Sequence, residues 1–447
     1  MSEGSLGAPE RHPIPWQDPD FQDQQKLDAE LRRQFDVCHG CRRCFNLCDS
    51  FPRLFDLIDE SQSGELDTVD SADFKPVVDA CTLCDMCYMT KCPYVPPHEF
   101  NIDFPHLMLR ARAVDANTAG VPFGVKQLTK TDRNGKLAAL APGLANWASK
   151  CGNHLTRPVM ESVLGVHRDA VLPAFHGKTF EARAALTPAV AADAPAHGRK
   201  AVLYATCFAN YNNPDIGTAA QAVLAKNGVE TEVVYPRCCG MPQLEQGDIA
   251  AVAAAAKQTS ADLMPWIDKG YDVIALVPSC ALMLKFEWPL IAPGDEAIKR
   301  LGAATSDITE YIVSVAKTEG MADGMKPLEG GVTMHVACHA RAQNMGQKGA
   351  EMLRLIPETE ITVIERCSGH GGSWGIMKEN FEVGLKVGKP VARQAAKSVA
   401  ANDGGHVVSE CPLARDHIVQ GMEKLGEAFS VSTAQHPIQL LARAYGF

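Results

Sequence analysis

Eight cysteines near the N-terminus constrain this chain more than any other feature. The first run is Cys38-x2-Cys41-x2-Cys44-x3-Cys48, and the second is Cys81-x2-Cys84-x2-Cys87-x4-Cys92, followed by Pro93. Three cysteines at x2 spacing wrap three corners of an iron–sulfur cube within one short loop and turn. Where a module holds two cubes, the fourth cysteine of each run ligates the other cube. The spacing therefore predicts two [4Fe–4S] clusters, one held by Cys38, Cys41, Cys44 and Cys92, the other by Cys81, Cys84, Cys87 and Cys48. Such a pair moves single electrons and by itself breaks no bond in a substrate. Zinc is the competing reading of a Cys-x2-Cys pair, but zinc takes four donors, and two successive triplets leave thiolates unexplained. The runs depart from the usual pattern twice. Four residues precede Cys92, and Asp49 and Ser50 stand where a proline often follows the first run.

A chain of 447 residues is long enough for two to four domains with real cores. Its net charge of −10 argues against nucleic acid as a partner, which demands a basic footprint. Sixteen cysteines without a secretory signal point to a reducing, cytoplasmic compartment. No run of about 18 apolar residues occurs, so no membrane-spanning helix is expected. Peripheral attachment at the inner face of a membrane remains open.

Residues 1–30 read as a polar, Pro-containing tail that turns helical near Gln22–Phe35. Residues 31–115 form the two-cluster module. The 32 residues between Cys48 and Cys81 exceed what a compact ferredoxin uses, and PRLFDLIDE and FKPVVDACTL suit helices, so a helical ferredoxin-type module is expected. Residues 116–196 read as a helical connector that ends in an Ala/Pro-rich linker, EARAALTPAVAADAPAH. Within it, VPFGVKQLTK and KLAALAPGLANWASK are short amphipathic segments. Ordinary packing is the favoured reading and a membrane-touching surface the alternative. Cys151 matches no motif and reads as a buried or inert thiol.

The C-terminal half contains an internal repeat, residues 197–325 and 326–447. In the first copy KAVLYAT runs to Cys207, TEVVY to Cys238 and Cys239, and DVIALV to Cys280. In the second copy VTMHVA runs to Cys338, ITVIE to Cys367, and HVVSE to Cys411. Corresponding cysteines are offset by 131, 129 and 131 residues. Helices are expected from about Asp215 to Asn227, from about Asp248 onward, and over roughly Gln343–Leu355. Each copy reads β-α-β-α-β, a small parallel sheet with helices on its faces. Sites in such sheets form beyond the carboxyl ends of the strands. Folding should therefore gather Cys207, Cys238, Cys239 and Cys280 at one edge, and Cys338, Cys367 and Cys411 at the other. The expected fold class is α/β multidomain: a helical two-cluster ferredoxin module followed by two α/β parallel-sheet cysteine-rich repeats.

CFANYNNPDIG, CCGMP, PSCALMLKFEWP, SGHGGSWGIMKENF and HPIQLLARA resemble the cysteine-rich CCG domain family of the heterodisulfide reductase B-subunit and its relatives. The likeness is greatest to the C-subunit type of anaerobic glycerol-3-phosphate dehydrogenases. The resemblance implies an iron–sulfur protein that takes electrons from a flavoprotein dehydrogenase partner and passes them to a quinone or other membrane-anchored acceptor. It also implies a third iron–sulfur cluster on Cys207, Cys238, Cys239 and Cys280. Departures are visible. Met283 replaces the last cysteine of the first repeat's motif, and Ser368 and Ala414 replace two cysteines of the second's. Cys338, Cys367 and Cys411 could then hold an open-site cluster or none, with His339 and His370 as candidate substitutes that read first as structural. A heterodisulfide or thiol reductase using the repeat cluster is the alternative function, and a structural metal-binding role is a third. No P-loop and no G-x-G-x-x-G after a strand occurs, so substrate oxidation is expected of a partner.

Overall fold

The computed structural model describes residues 9–186, 188–402, 405–426 and 430–447. Two parallel sheets form the C-terminal half, and several of their short strands, such as Lys200–Tyr204 and Asp272–Ala275, are almost continuous apolar runs. Such runs suit strands covered by helices on both faces. The first sheet comprises β1 (Lys200–Tyr204), β2 (Glu230–Val234), β3 (Asp272–Ala275) and β4 (Thr305–Asp307), in the order β2-β1-β3-β4. Leu203 lies opposite Val233 on one side and Ile274 on the other. The second sheet comprises β5 (Val332–His335), β6 (Ile361–Ile364) and β7 (His406–Ser409), in the order β6-β5-β7. Here Met334 lies opposite Val363 and Val408. In both sheets the first strand is central, and the chain moves to one side of it and then to the other. That reversal opens a crevice at the carboxyl ends, where every repeat cysteine follows its strand.

The copies differ from the expected β-α-β-α-β pattern in two places. β4 is an added strand of three residues, too short and too polar to show a period, and its Asp307 caps the helix Ile308–Thr318 through a capping box. The helix expected over 343–355 is confined to Lys348–Leu353, and a separate helix, Cys338–Ala342, precedes it. Asn344 and Gly346 adopt φ of 52° and 80° between the pieces, a conformation no α-helix continues through.

Between residues 9 and 118 the described residues form helices and turns, with no strand. The helix Gln24–Cys41 runs six residues past the expected end, so Cys38 and Cys41 sit on its final turns, and Arg42 at φ 53° closes it. Phe35, Phe51, Phe55, Phe74 and Phe104 fill the space between helices, with Phe35 and Phe74 edge to face at 5.1 Å. Residues 1–8 of the expected tail lie outside the described residues. The remainder joins the core: Ile14 and Phe21 are buried, and Trp16 donates its indole N–H to Ile291 O at 2.9 Å. One apolar core runs from this module into both sheets.

The connector corrects two expectations. Its helices Phe123–Leu128, Thr131–Leu140 and Pro142–Ser149 pack on one side only: Gly135 lies tight against the Tyr211 ring, while Phe123, Leu137, Leu140, Leu144 and Trp147 are all exposed, Leu140 by 83%. Leu155, Val159 and Val163 of the next segment are exposed too. Cys151 is exposed rather than buried, because it sits in the turn between these surface helices. The Ala/Pro stretch is tied down: Phe180 is fully buried, and Ala191 N–H donates to Ala225 O at 3.0 Å. Thr187 of that stretch lies outside the described residues.

Candidate metal centres

Four thiols from distant positions meet around one recess. Cys38 and Cys41 end a helix, Cys44 follows in the next turn, and Cys92 arrives from the second run with Pro93 and Tyr94. The recess, about 300 Å³ including its open mouth, is otherwise walled by groups such as Phe51, Phe55 and Ile102. Burial, then the neighbouring Cys92 and Cys41, pushes the Cys44 thiol up to about 12, and burial pushes Cys92 up to about 11.

Cys48, Cys81, Cys84 and Cys87 form the second set. Burial, and then the thiols of Cys84, Cys81 and Cys48, raises Cys87 far above its ordinary value. Cys44 of the first set also acts on Cys87, so the two sets are neighbours. Leu83 and Asp85, either side of Cys84, both adopt left-handed backbone, at φ 47° and 62°. Non-glycine residues there cost about 1–3 kcal/mol each and persist only where surroundings enforce them. Arg11 is the enforcer at Asp85: its guanidinium grips Asp85 at 2.6 and 2.9 Å, Asp103 at 3.0 and 3.2 Å, and Glu287 at 3.1 Å.

In the first repeat Cys207, Cys238, Cys239 and Cys280 converge beyond β1, β2 and β3. Cys207 and Cys238 sulfurs are 3.8 Å apart. The neighbouring Cys207 and Cys239 thiols, and after them the Thr131 hydroxyl and the Gly240 N–H, hold Cys238 well below the ordinary thiol value, against its burial. Thr206, immediately before Cys207, is buried at φ 57°, and π-helical turns follow at Phe208–Asn212 and Met283–Glu287. Strained residues and π-turns recur at functional sites. Met283 is fully buried in the second of these turns.

Thr131 and Asp132 were missed by sequence reasoning. Asp132 accepts a hydrogen bond from the Cys238 N–H at 2.9 Å and another from the Tyr235 hydroxyl. Both residues begin the helix Thr131–Leu140, which carries exposed Leu137 and Leu140 farther along. No local motif marks them. Only the fold brings the connector to the mouth of β2.

Cys338, Cys367 and Cys411 follow β5, β6 and β7. Cys367 and Cys411 both act on Cys338, and Cys84 of the N-terminal module acts on it as well. Cys367 is exposed and accepts the Gly369 N–H at 3.4 Å. His339 is not free to bind metal. Its Nε2–H donates to Leu83 O at 3.3 Å and its Nδ1 accepts from the Ser279 hydroxyl at 2.9 Å. His370 is buried with Nε2 unpartnered, and burial lowers it to about 3, so it is neutral. Its ring neighbour is His417, at 5.8 Å.

Among the described residues no three His, Cys, Asp or Glu side chains meet around a single-ion position. Clustered, largely buried thiols with raised values instead fit a group that spreads positive charge over several sulfurs and keeps them ionised, as an iron–sulfur cluster does.

Helical thiol sets feeding paired parallel sheets, each with cysteines at its carboxyl edge, define a class of cysteine-rich redox proteins. The family model described as "Cysteine-rich domain" (CCG) matches residues 201–285 and 332–413. The chain is 28% identical over 321 residues to the C-subunit of anaerobic glycerol-3-phosphate dehydrogenase of Escherichia coli (strain K12), covering 71% of this chain and 76% of that one. It is 31% identical over 190 residues to lactate utilization protein A of Geobacillus kaustophilus, covering 40% of this chain and 74% of that one. The B-subunit of fumarate reductase (CoM/CoB) of Methanothermobacter marburgensis is 28% identical over 257 residues, covering 56% of this chain and 47% of that one. The chain belongs to the CCG cysteine-rich family that includes the C-subunit of anaerobic glycerol-3-phosphate dehydrogenase.

Proposed function

We propose that this chain is the iron–sulfur electron-transfer component of an oxidoreductase complex, receiving electrons from a flavoprotein dehydrogenase and passing them to a quinone or other acceptor. The carrying observation is the contiguity of the thiol sets. Cys44 neighbours Cys87, which supports adjacent N-terminal sets, and Cys84 neighbours Cys338 of the second repeat. Iron–sulfur clusters, when bound, would supply one-electron storage: [4Fe–4S] on Cys38, Cys41, Cys44 and Cys92, [4Fe–4S] on Cys48, Cys81, Cys84 and Cys87, and a third cluster on Cys207, Cys238, Cys239 and Cys280. The chain's own residues orient and shield these positions: Arg11 fixes the Cys84 loop through Asp85, and backbone N–H groups at Gly240 and Gly369 face sulfur. The relatives' names, one from a dehydrogenase and one from a reductase, support the same reading.

The connector supports peripheral attachment to a membrane. No helix among the described residues is long and apolar enough to cross one. Residues 121–170 nevertheless expose Phe123, Leu137, Leu140, Leu144 and Trp147, and carry seven Lys/Arg against three Asp/Glu in a chain of net charge −10. An apolar face with a basic margin suits the surface of an anionic bilayer. Thiol or heterodisulfide reduction at a repeat is the second reading, favoured by the exposure of Cys367 and by the likeness to the CoM/CoB enzyme. Met283, Ser368 and Ala414 weigh against it.

The test is reduction of the anaerobically prepared chain. Dithionite should reduce it and a dye should reoxidise it. Glycerol 3-phosphate, lactate and glycolate should leave it oxidised until a flavoprotein is added. Reduction of the pure chain by any of these substrates contradicts the proposal.

A further inference from the structure

Segments that follow three of the cysteine positions meet around one carboxyl. Glu245 caps the short helix Met241–Leu244, which comes directly after Cys238 and Cys239, and it is only 8% exposed. Its side chain crosses to the loop after Cys367. There a Cβ on Gly372 would overlap both carboxyl oxygens, and the Ser373 N–H donates to the carboxyl. The N-terminal module closes the third side. Arg112 Nη1 donates to the Glu245 main-chain carbonyl at 3.0 Å, and Nη2 donates to the carbonyls of Val78 at 2.7 Å, Asp79 at 3.4 Å and Cys81. The segment is seated firmly on the helix Phe104–Thr118, since a Cβ on Gly247 would lie 2.5 Å from Ala113 N. Thr82, next to Cys81, packs on Gly371 of the same second-repeat loop.

A carboxyl in this position lacks a counter-ion. The Arg112 guanidinium is committed to main-chain oxygens, and among the described residues no salt bridge includes Glu245. An unpaired carboxylate taken out of water is costly, so such a group binds a proton instead. Burial accordingly pushes Glu245 up to about 7, against the pull of Arg112 and the Ser373 N–H. The elements packed around it add little charge. The helix Phe104–Thr118 presents Arg112, and the turn 78–81 presents carbonyls to that arginine. The second-repeat loop carries His370, which burial keeps neutral. Asp248, farther along Glu245's own segment, is engaged at 3.2 Å with the Ala251 N–H as a helix cap.

We propose that Glu245 is a proton partner of electron transfer at this junction: its carboxylate takes a proton from solvent as an electron arrives nearby, and returns it as the electron leaves. One O–H bond forms at Glu245 and one breaks in hydronium. The electron comes from the dehydrogenase partner and leaves to the acceptor, so charge balances in both directions. An added electron repels a carboxylate and favours its acid form, and by linkage the acid form favours the electron. The half-buried loop 371–373 gives the proton a short way in from water.

The inference rests on the electron-transfer reading, and the experiment separates the two. Full-length wild type, Glu245→Gln and Glu245→Asp are reconstituted anaerobically with ferrous iron and sulfide. Each is then titrated with reductant under EPR, at a series of pH values on both sides of neutrality. If no centre of the wild type is reduced, the electron-transfer reading itself fails and the inference falls with it. If centres are reduced, the reduction equilibrium constant of at least one should drop as pH rises through neutrality, by up to about tenfold per pH unit for one proton per electron. Glu245→Gln keeps an oxygen for the Ser373 N–H but takes up no proton, so it should lose that dependence. A wild-type equilibrium that ignores pH, or a Glu245→Gln slope equal to the wild type's, overturns the proposal. Should Glu245→Gln fail to fold, Glu245→Asp decides. Its shorter side chain draws the carboxyl back from Ser373, so the pH window should be displaced from the wild type's, and an unmoved window overturns the proposal.

Discussion

Replacing Arg11 by Ala tests how the N-terminal segment is fastened to the redox core. Its side chain is only 11% exposed and carries five hydrogen bonds to three carboxylates, with its guanidinium also 4.4 Å from the Tyr88 ring centroid. Asp85 and Glu287 are nearly as buried, at 6% and 5%, and Asp103 is at 20%. Removing the cation leaves three carboxylates together, with His106 opposing them at 3.2 Å from Glu287 and 3.3 Å from Asp103. Breaking a buried ion pair by deleting one partner costs about 3–5 kcal/mol, so urea unfolding of Arg11→Ala should shift by that amount at pH 8. Trp16 fluorescence reports the release, since its indole is anchored to Ile291.

The loss depends on pH. Burial opposes ionisation of Glu287, but His106 and Arg11 pull it down to about 2. Its contribution is therefore fully present above about pH 4.5 and fades as pH falls toward 2. Burial and Arg11 both oppose charging of His106, yet Asp103 and Glu287 leave its value raised. That contribution is complete below about pH 6.5 and fades as pH rises through the raised value. Without Arg11 the carboxylates raise His106 further, so the variant regains stability on acidification from pH 8 to 6, and the gap to wild type narrows. A gap under about 1 kcal/mol at pH 8, or one that widens on acidification, refutes this account of the network.

Gly369→Ala should destabilise the second repeat by more than about 2 kcal/mol, read as a lowered melting temperature, since its φ is 78° and the new Cβ would lie 1.9 Å from Gly384 O. Leu140→Asp with Leu144→Asp should weaken binding to anionic lipid vesicles on the order of 100-fold, from about 3 kcal/mol of lost apolar insertion, while cosedimentation equal to wild type would remove the membrane reading of the connector. In iron-loaded protein, Cys151 should be the fastest thiol to react with a maleimide, because it is exposed and outside every cysteine set; peptide mapping that finds another cysteine labelled first contradicts this.

Much of the fold was legible because its signals are local. Val/Ile/Leu runs ending at Cys207, Cys280, Cys338 and Cys411 marked strands, and the nearly constant offset between copies marked the repeat. Spacing alone also paired Cys92 with the first run and Cys48 with the second, and Cys92 lines one recess with Cys38, Cys41 and Cys44. What escaped was long-range. Arg11 stands in an unremarkable polar stretch, and its three carboxylate partners lie 74, 92 and 276 positions away. Asp132 reaches Cys238 across 106 positions, with no pattern to announce it. The connector misled for a different reason. Its apolar periodicity is genuine, but periodicity says which face is apolar and not what covers it.

The central claim is that these cysteine sets hold several redox-active iron–sulfur clusters in series. Its most direct test is iron and sulfide analysis of the anaerobically purified full-length chain, combined with an EPR-monitored redox titration. The account predicts about twelve or more irons per chain with equal sulfide, for at least three four-iron centres, and signals that interact as neighbouring centres fill with electrons. Fewer than about five irons, stoichiometric zinc in their place, or a single isolated signal would contradict it.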